Sequence, residues 1–95
     1  MRFCYKIHEY GKEKILAISD KKLVGKHITD FFYVSKEFYG KDFCETEKVK
    51  DLVKTVTSVN AVGNEIVSFL IEIGVIDKNC VVLINGIKHA IMIKI

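Results

Sequence analysis

Residues 2–8 alternate, with Phe3, Tyr5 and Ile7 on one face and Arg2, Cys4, Lys6 and His8 on the other, the period-two pattern of a half-buried strand. A glycine-containing turn, Glu9-Tyr10-Gly11-Lys12-Glu13, separates this run from a second, Lys14 to Asp20, so the chain opens on a hairpin. Asp20-Lys21-Lys22-Leu23-Val24-Gly25-Lys26 reads as a polar loop or a single helical turn. Ile28 to Val34 reads as an aromatic-rich third strand, and Ser35-Lys36-Glu37-Phe38-Tyr39-Gly40 as a glycine-terminated turn. Helical spacing begins at Thr46, placed to cap the first turn, where Val49, Leu52, Val53, Val56 and Val59 fall at i, i+3, i+4, i+7 and i+10. The β-branched cluster Val53 to Val59 weakens the second half of that helix. Asn60 is the expected N-cap of a second helix, whose stripe Val62, Ile66, Leu70 and Ile73 ends at Gly74.

Near the C-terminus, Cys80 to Ile84 and Ile87 to Lys94 flank Asn85-Gly86. That pair favours a type I′ hairpin because both central positions need positive φ. A two-residue loop fixes the register: Ile84 opposite Ile87, Val82 opposite His89, Cys80 opposite Ile91. Those six residues share one face, expected to be the core face with His89 within it, while Lys88, Ala90, Met92 and Lys94 occupy the other. The order β-β-β-α-α-β-β predicts an α+β fold, a largely antiparallel sheet of about five strands with two helices packed on one side.

Ninety-five residues make one domain, 1–95, and 49% hydrophobic with 28% charged residues places the chain in the globular class. Three scattered cysteines, Cys4, Cys44 and Cys80, with no Cys-x-x-Cys pair argue against a disulfide framework and for a reducing, cytoplasmic setting. Met1-Arg2-Phe3-Cys4-Tyr5-Lys6 lacks the apolar run of a signal peptide, and no apolar stretch reaches the length of a membrane span. Neither a membrane nor DNA is an expected partner; net charge is only +3 and the pI about 8.7, below the footprint of a dedicated nucleic-acid module, so charge alone decides nothing.

The location of that charge is more informative than its size. Residues 1–30 hold seven basic and four acidic side chains, and the rest of the chain is balanced; nine of the ten aromatics lie at or before Phe43. Lysines neutralise phosphates and flat rings stack on unpaired bases, so this combination suits RNA. The candidate RNA-binding residues are Arg2, Lys6, Lys21, Lys22 and Lys26, with Tyr10 and Tyr39 as stacking rings. The plainer alternative is a sheet core of aromatics, Phe3, Tyr5, Phe31 and Tyr33, with a solvated lysine rim.

Catalytic and metal chemistry have thinner support. Cys4 and His8 share a strand face, but no Cys or His spacing supplies the four ligands of zinc, and no nucleophile elbow or phosphate loop occurs. No metal, no cofactor and no catalytic residue is assigned, and a non-enzyme is favoured. His89 is the sharpest single residue, a titratable ring on an apolar face, where a hydrogen-bonded structural histidine is the simpler account. Gly63, early in an otherwise good helix, implies a close approach: either packing that leaves no room for a Cβ, or an anion meeting the first turn.

Four segments together resemble one archaeal family, domain of unknown function 424. They are Asp20-Lys21-Lys22-Leu23-Val24-Gly25-Lys26, Phe38-Tyr39-Gly40, Asn60-Ala61-Val62-Gly63 and Asn85-Gly86-Ile87-Lys88-His89-Ala90. Lys88 departs from the pattern, standing where many relatives carry proline. The resemblance implies a small stand-alone α+β protein without an assigned activity and with a suspected link to RNA or translation. It carries no catalytic residue; Lys26, Tyr39, Asn60, Gly63 and His89 form the candidate family-motif site. The leading expectation is an accessory protein binding ribosomal or transfer RNA, or a ribonucleoprotein. The runner-up is an interaction or homo-oligomeric self-assembly module using Val81, Leu83, Ala90 and Met92 of the C-terminal hairpin. A small enzyme around His89 and Asn60 is third.

Overall fold

The two N-terminal runs form the two longest strands, β1 (Phe3–Tyr10) and β2 (Glu13–Asp20), paired from Phe3↔Asp20 to Tyr10↔Glu13 in a computed structural model that describes residues 2–95. They belong to a six-stranded sheet of order β5-β1-β2-β6-β8-β7, with β5 (Asp42–Cys44), β6 (Ser58–Val62), β7 (Val82–Ile84) and β8 (Ile87–Ile93). All neighbours are antiparallel except β2 and β6, which run parallel. Helices α2 (Thr46–Thr55) and α3 (Asn64–Glu72) pack on one face, so the α+β architecture with two helices on one side of a largely antiparallel sheet holds. Phe3, Leu16, Ile18, Val59, Ile66 and Leu70 form the centre of that core. Full burial of each of the larger side chains stabilises by about 1.5–3 kcal/mol.

The opposite face is covered too. A small hairpin, β3 (His27–Thr29) with β4 (Phe32–Tyr33), and a one-turn helix α1 (Lys36–Tyr39) bring Ile28, Val34 and Tyr39 onto Ala17 and Val62. The expected third strand, 28–34, is therefore two short strands outside the main sheet, broken at Thr29, whose Oγ1 accepts from the Phe31 amide at 3.1 Å. The expected turn 35–40 closes as helix α1 because Ser35 caps it, its Oγ accepting from Phe38 N at 3.0 Å.

The largest correction lies between residues 55 and 63. Helix α2 stops at Thr55, and Ser58–Val62 is a central strand rather than the junction of two helices. Val56 and Val59 do fall at helical spacing, but the β-branched run favours extended backbone. A strand buried on both faces also shows no alternation to distinguish it from a helix. Asn60 is accordingly a mid-strand residue; Gly63 occupies the N-cap position of α3, and Glu45 that of α2 in place of Thr46.

At the C-terminus, Asn85 (φ 51°) and Gly86 (φ 79°) make the expected turn, and Ile84 pairs with Ile87 and Val82 with His89. Cys80 instead lies in a 3-10 turn (Lys78–Cys80) and does not pair with Ile91. The two faces of this hairpin are assigned the other way round from expectation. Ala90 and Met92 face the main core, whereas Val82 and Ile91 are exposed and His89 lies on the second face. The helices decide this, since they cover the face that Ala61 and Ala90 share as strand partners.

Candidate functional site

Asn60 projects from the middle of β6 onto the second face, between Ala17 of β2 and Ile91 of β8. An amide is poorly suited to a central strand unless its polar atoms are used. Here Asn60 Oδ1 accepts twice: from the Tyr39 hydroxyl at 2.6 Å and from His89 Nε2 at 3.1 Å. The acceptor fixes the histidine tautomer, with the proton on Nε2. Phe32 meets the His89 ring edge-on at 5.4 Å between centroids. Burial pushes the Tyr39 phenol up to about 12 and lowers His89 below the ordinary histidine value, so both groups are neutral at pH 7. The cluster therefore bolts α1 and β8 to the central strand without charge.

Gly63 is explained by a different neighbour. Asp20, at the end of β2, is 2% exposed and points its carboxylate at the first turn of α3, accepting from Glu65 N at 3.0 Å and Ile66 N at 2.8 Å. A Cβ on Gly63 would overlap the carboxylate carbon and lie 2.6 and 2.7 Å from its oxygens, and φ is +129°. The anion expected at this helix terminus is thus the protein's own Asp20. Desolvation raises the Asp20 pKa, opposed by the two backbone amides.

Of the candidate RNA-binding residues, the fold gathers some and disperses others. Arg2, Lys21 and Lys22 line one open groove together with Asp20 and Glu65. Arg2 Nε is 3.8 Å from Glu45 Oε1. Lys6 lines a separate groove with Lys36, Glu37, Gly40 and Lys41, and its Nζ donates to the Glu37 carbonyl at 3.3 Å. Phe43 on edge strand β5 is half exposed and opposite Cys4, with Lys21 Nζ 5.2 Å from its ring centroid. Lys26 lines neither groove. Tyr39 is only 4% exposed, so it is unavailable as a stacking ring; Tyr10, at 65%, is available. Sequence reasoning missed Lys36, Lys41 and Phe43, because their place at the edge depends on the short strand β5. Of the family-motif residues, Tyr39, Asn60 and His89 form one cluster, while Gly63 belongs to the Asp20 cap and Lys26 to the root of the β3–β4 hairpin, where its carbonyl accepts from Val34 N.

No three His, Cys, Asp or Glu side chains gather in a metal-binding arrangement among the described residues. No described helix is long and apolar enough to cross a membrane.

These features define a small α+β protein with a mixed six-stranded sheet, a neutral Tyr–Asn–His cluster and a basic, aromatic edge. The chain belongs to the family described as Protein of unknown function (DUF424), whose sequence model matches residues 8–95. Its fold is similar to that of an uncharacterized conserved protein from Methanopyrus kandleri known from a crystal structure. The TM-score is 0.79 at 20% identity, over 100% of this chain and 95% of the other. Comparison with functionally curated proteins finds no match.

Proposed function

We propose that this protein is an accessory RNA-binding protein, acting on ribosomal or transfer RNA or on a ribonucleoprotein. One observation carries the reading: at the β5 edge an exposed ring, Phe43, lies under Lys21, which lines a groove with Arg2 and Lys22. Cations neutralise phosphates while the ring offers a face to an unpaired base. If about four phosphates are contacted, affinity for transfer RNA falls about a hundredfold between 50 and 200 mM salt. Reversing Lys21 and Lys22 to glutamate abolishes that binding, and reversing Lys26, outside both grooves, has a much smaller effect. Filter binding across a salt series reads both; no RNA bound by the wild type at about 50 mM salt ends the proposal.

A second reading, self-association, has its own observation. Val82, Leu83, Ile91 and Ile93 are all exposed, and β7 is a sheet edge with no charged residue of its own. Light scattering is expected to show a dimer that Leu83→Lys returns to monomer. A monomeric wild type refutes this reading.

A further inference from the structure

The second face of β1 carries a feature that the basic grooves do not use. His8 and Tyr10, two residues apart on one strand, present rings parallel to within 3° with centroids 6.5 Å apart. The strand repeat sets that separation, because two residues advance about 6.8 Å. It is close to twice the ~3.4 Å rise between stacked bases. By contrast, His8 is in stacking contact with Phe38, at 4.7 Å and 23°. His8 is also anchored, since its Nε2 donates to the Phe38 carbonyl at 2.9 Å and so fixes the ring orientation before any ligand arrives. On the next strand Ile15 lies opposite His8, and Glu13 opposite Tyr10, with Glu13 Oε2 accepting from Thr57 Oγ1 at 3.1 Å. Lys6 precedes His8 by two residues and borders the Lys36 and Lys41 groove.

We infer that His8 and Tyr10 are the two walls of a slot for one planar base of a single-stranded RNA, extending the existing Phe38–His8 stack to Phe38–His8–base–Tyr10. The inference rests on the RNA reading above and adds to it a place for a base beside a place for phosphates. It also gives a role to His8, a residue outside the sequence-based candidates. Its walls are pre-built: one ring is held by a hydrogen bond and a stacking partner, and the other stands in solvent, so little ordering is needed on binding.

The test uses the full chain with two probes, hexaadenylate RNA and adenosine monophosphate, at about 50 mM salt. With either probe, the ring protons of His8 and Tyr10 and the adenine protons are expected to move upfield together in NMR spectra. Tyr10→Ala should weaken hexaadenylate binding about tenfold or more, whereas Tyr10→Phe, which keeps the ring, retains it. His8→Ala should do the same; because it also removes the bond to Phe38, its amide spectrum is compared with the wild type, and the exposed Tyr10 variant carries the decision. Wild-type RNA binding that Tyr10→Ala leaves unchanged overturns the slot while the RNA reading stands. If no RNA binds, the RNA reading fails and the mononucleotide decides the slot by itself: shifts centred on His8 and Tyr10 support it, and their absence overturns it.

Discussion

Replacing Gly63 by alanine is expected to lower stability by about 3 kcal/mol or more, which for a chain of this size is a fall in Tm of roughly 12 °C or more. Two independent costs combine. At φ +129° and ψ 143° the backbone occupies a region that only glycine enters readily. The added Cβ must also displace the Asp20 carboxylate, which is buried and committed to the amides of Glu65 and Ile66. Asp20→Ala alone removes the cap and costs about 0.5–2 kcal/mol. Combined with Gly63→Ala, it also removes the overlap, so the double variant should lose less than the sum of the singles. Denaturant unfolding of all four proteins measures the cycle. A Gly63→Ala protein within about 0.5 kcal/mol of wild type would refute this account of the motif.

Asn60→Ala is the second large effect, a loss of about 2–4 kcal/mol. Removing the amide deletes the single acceptor that serves both the Tyr39 hydroxyl and His89 Nε2, and leaves a donor without its partner on the buried Tyr39 and on the half-buried His89. Tyr39→Phe removes only one of those donors and should cost about 1 kcal/mol. In the Tyr39→Phe background, Asn60→Ala should cost less than in the wild type, because one of the two orphaned groups is already gone. Additive losses in the same unfolding measurement would show that the cluster does not act as a unit.

The elements legible in the sequence are those whose residue types alternate or whose turn has only one chemistry. Strand β1 is legible because Phe3, Tyr5 and Ile7 alternate in sequence with Arg2, Cys4, Lys6 and His8, although burial along the hairpin does not alternate, and Asn85-Gly86 fixes its own turn and the register around it. Strand β6 is not legible, since its polar residues Ser58 and Asn60 read as the junction and N-cap between two helices, and its valines fit a helix equally well. Faces were harder to read than elements. Nothing local tells Ala90 that it, and not His89, meets the helices; that follows only from which side α2 and α3 occupy. The candidate residues divide for the same reason. Asn60, Tyr39 and His89 were singled out as misfits to patterning, and the fold shows why each is a misfit: they satisfy one another. Gly63 was a misfit for a separate reason, an aspartate 43 positions earlier in the chain, which no periodicity connects to it.

The two ends of the sheet have opposite dispositions toward other chains. At the β5 end the edge strand carries Asp42, and Lys6, Lys36 and Lys41 line a groove with Glu37, so charged side chains guard that end. At the β7 end the strand is Val82-Leu83-Ile84, with no such guard. If two copies paired β7 to β7 across a two-fold axis, the assembly would close on itself. In such a pair the lysine-bearing edges stand at opposite extremities of one continuous sheet, so a long polyanion would be gripped at two separated points, with the gain in residence that bivalency brings.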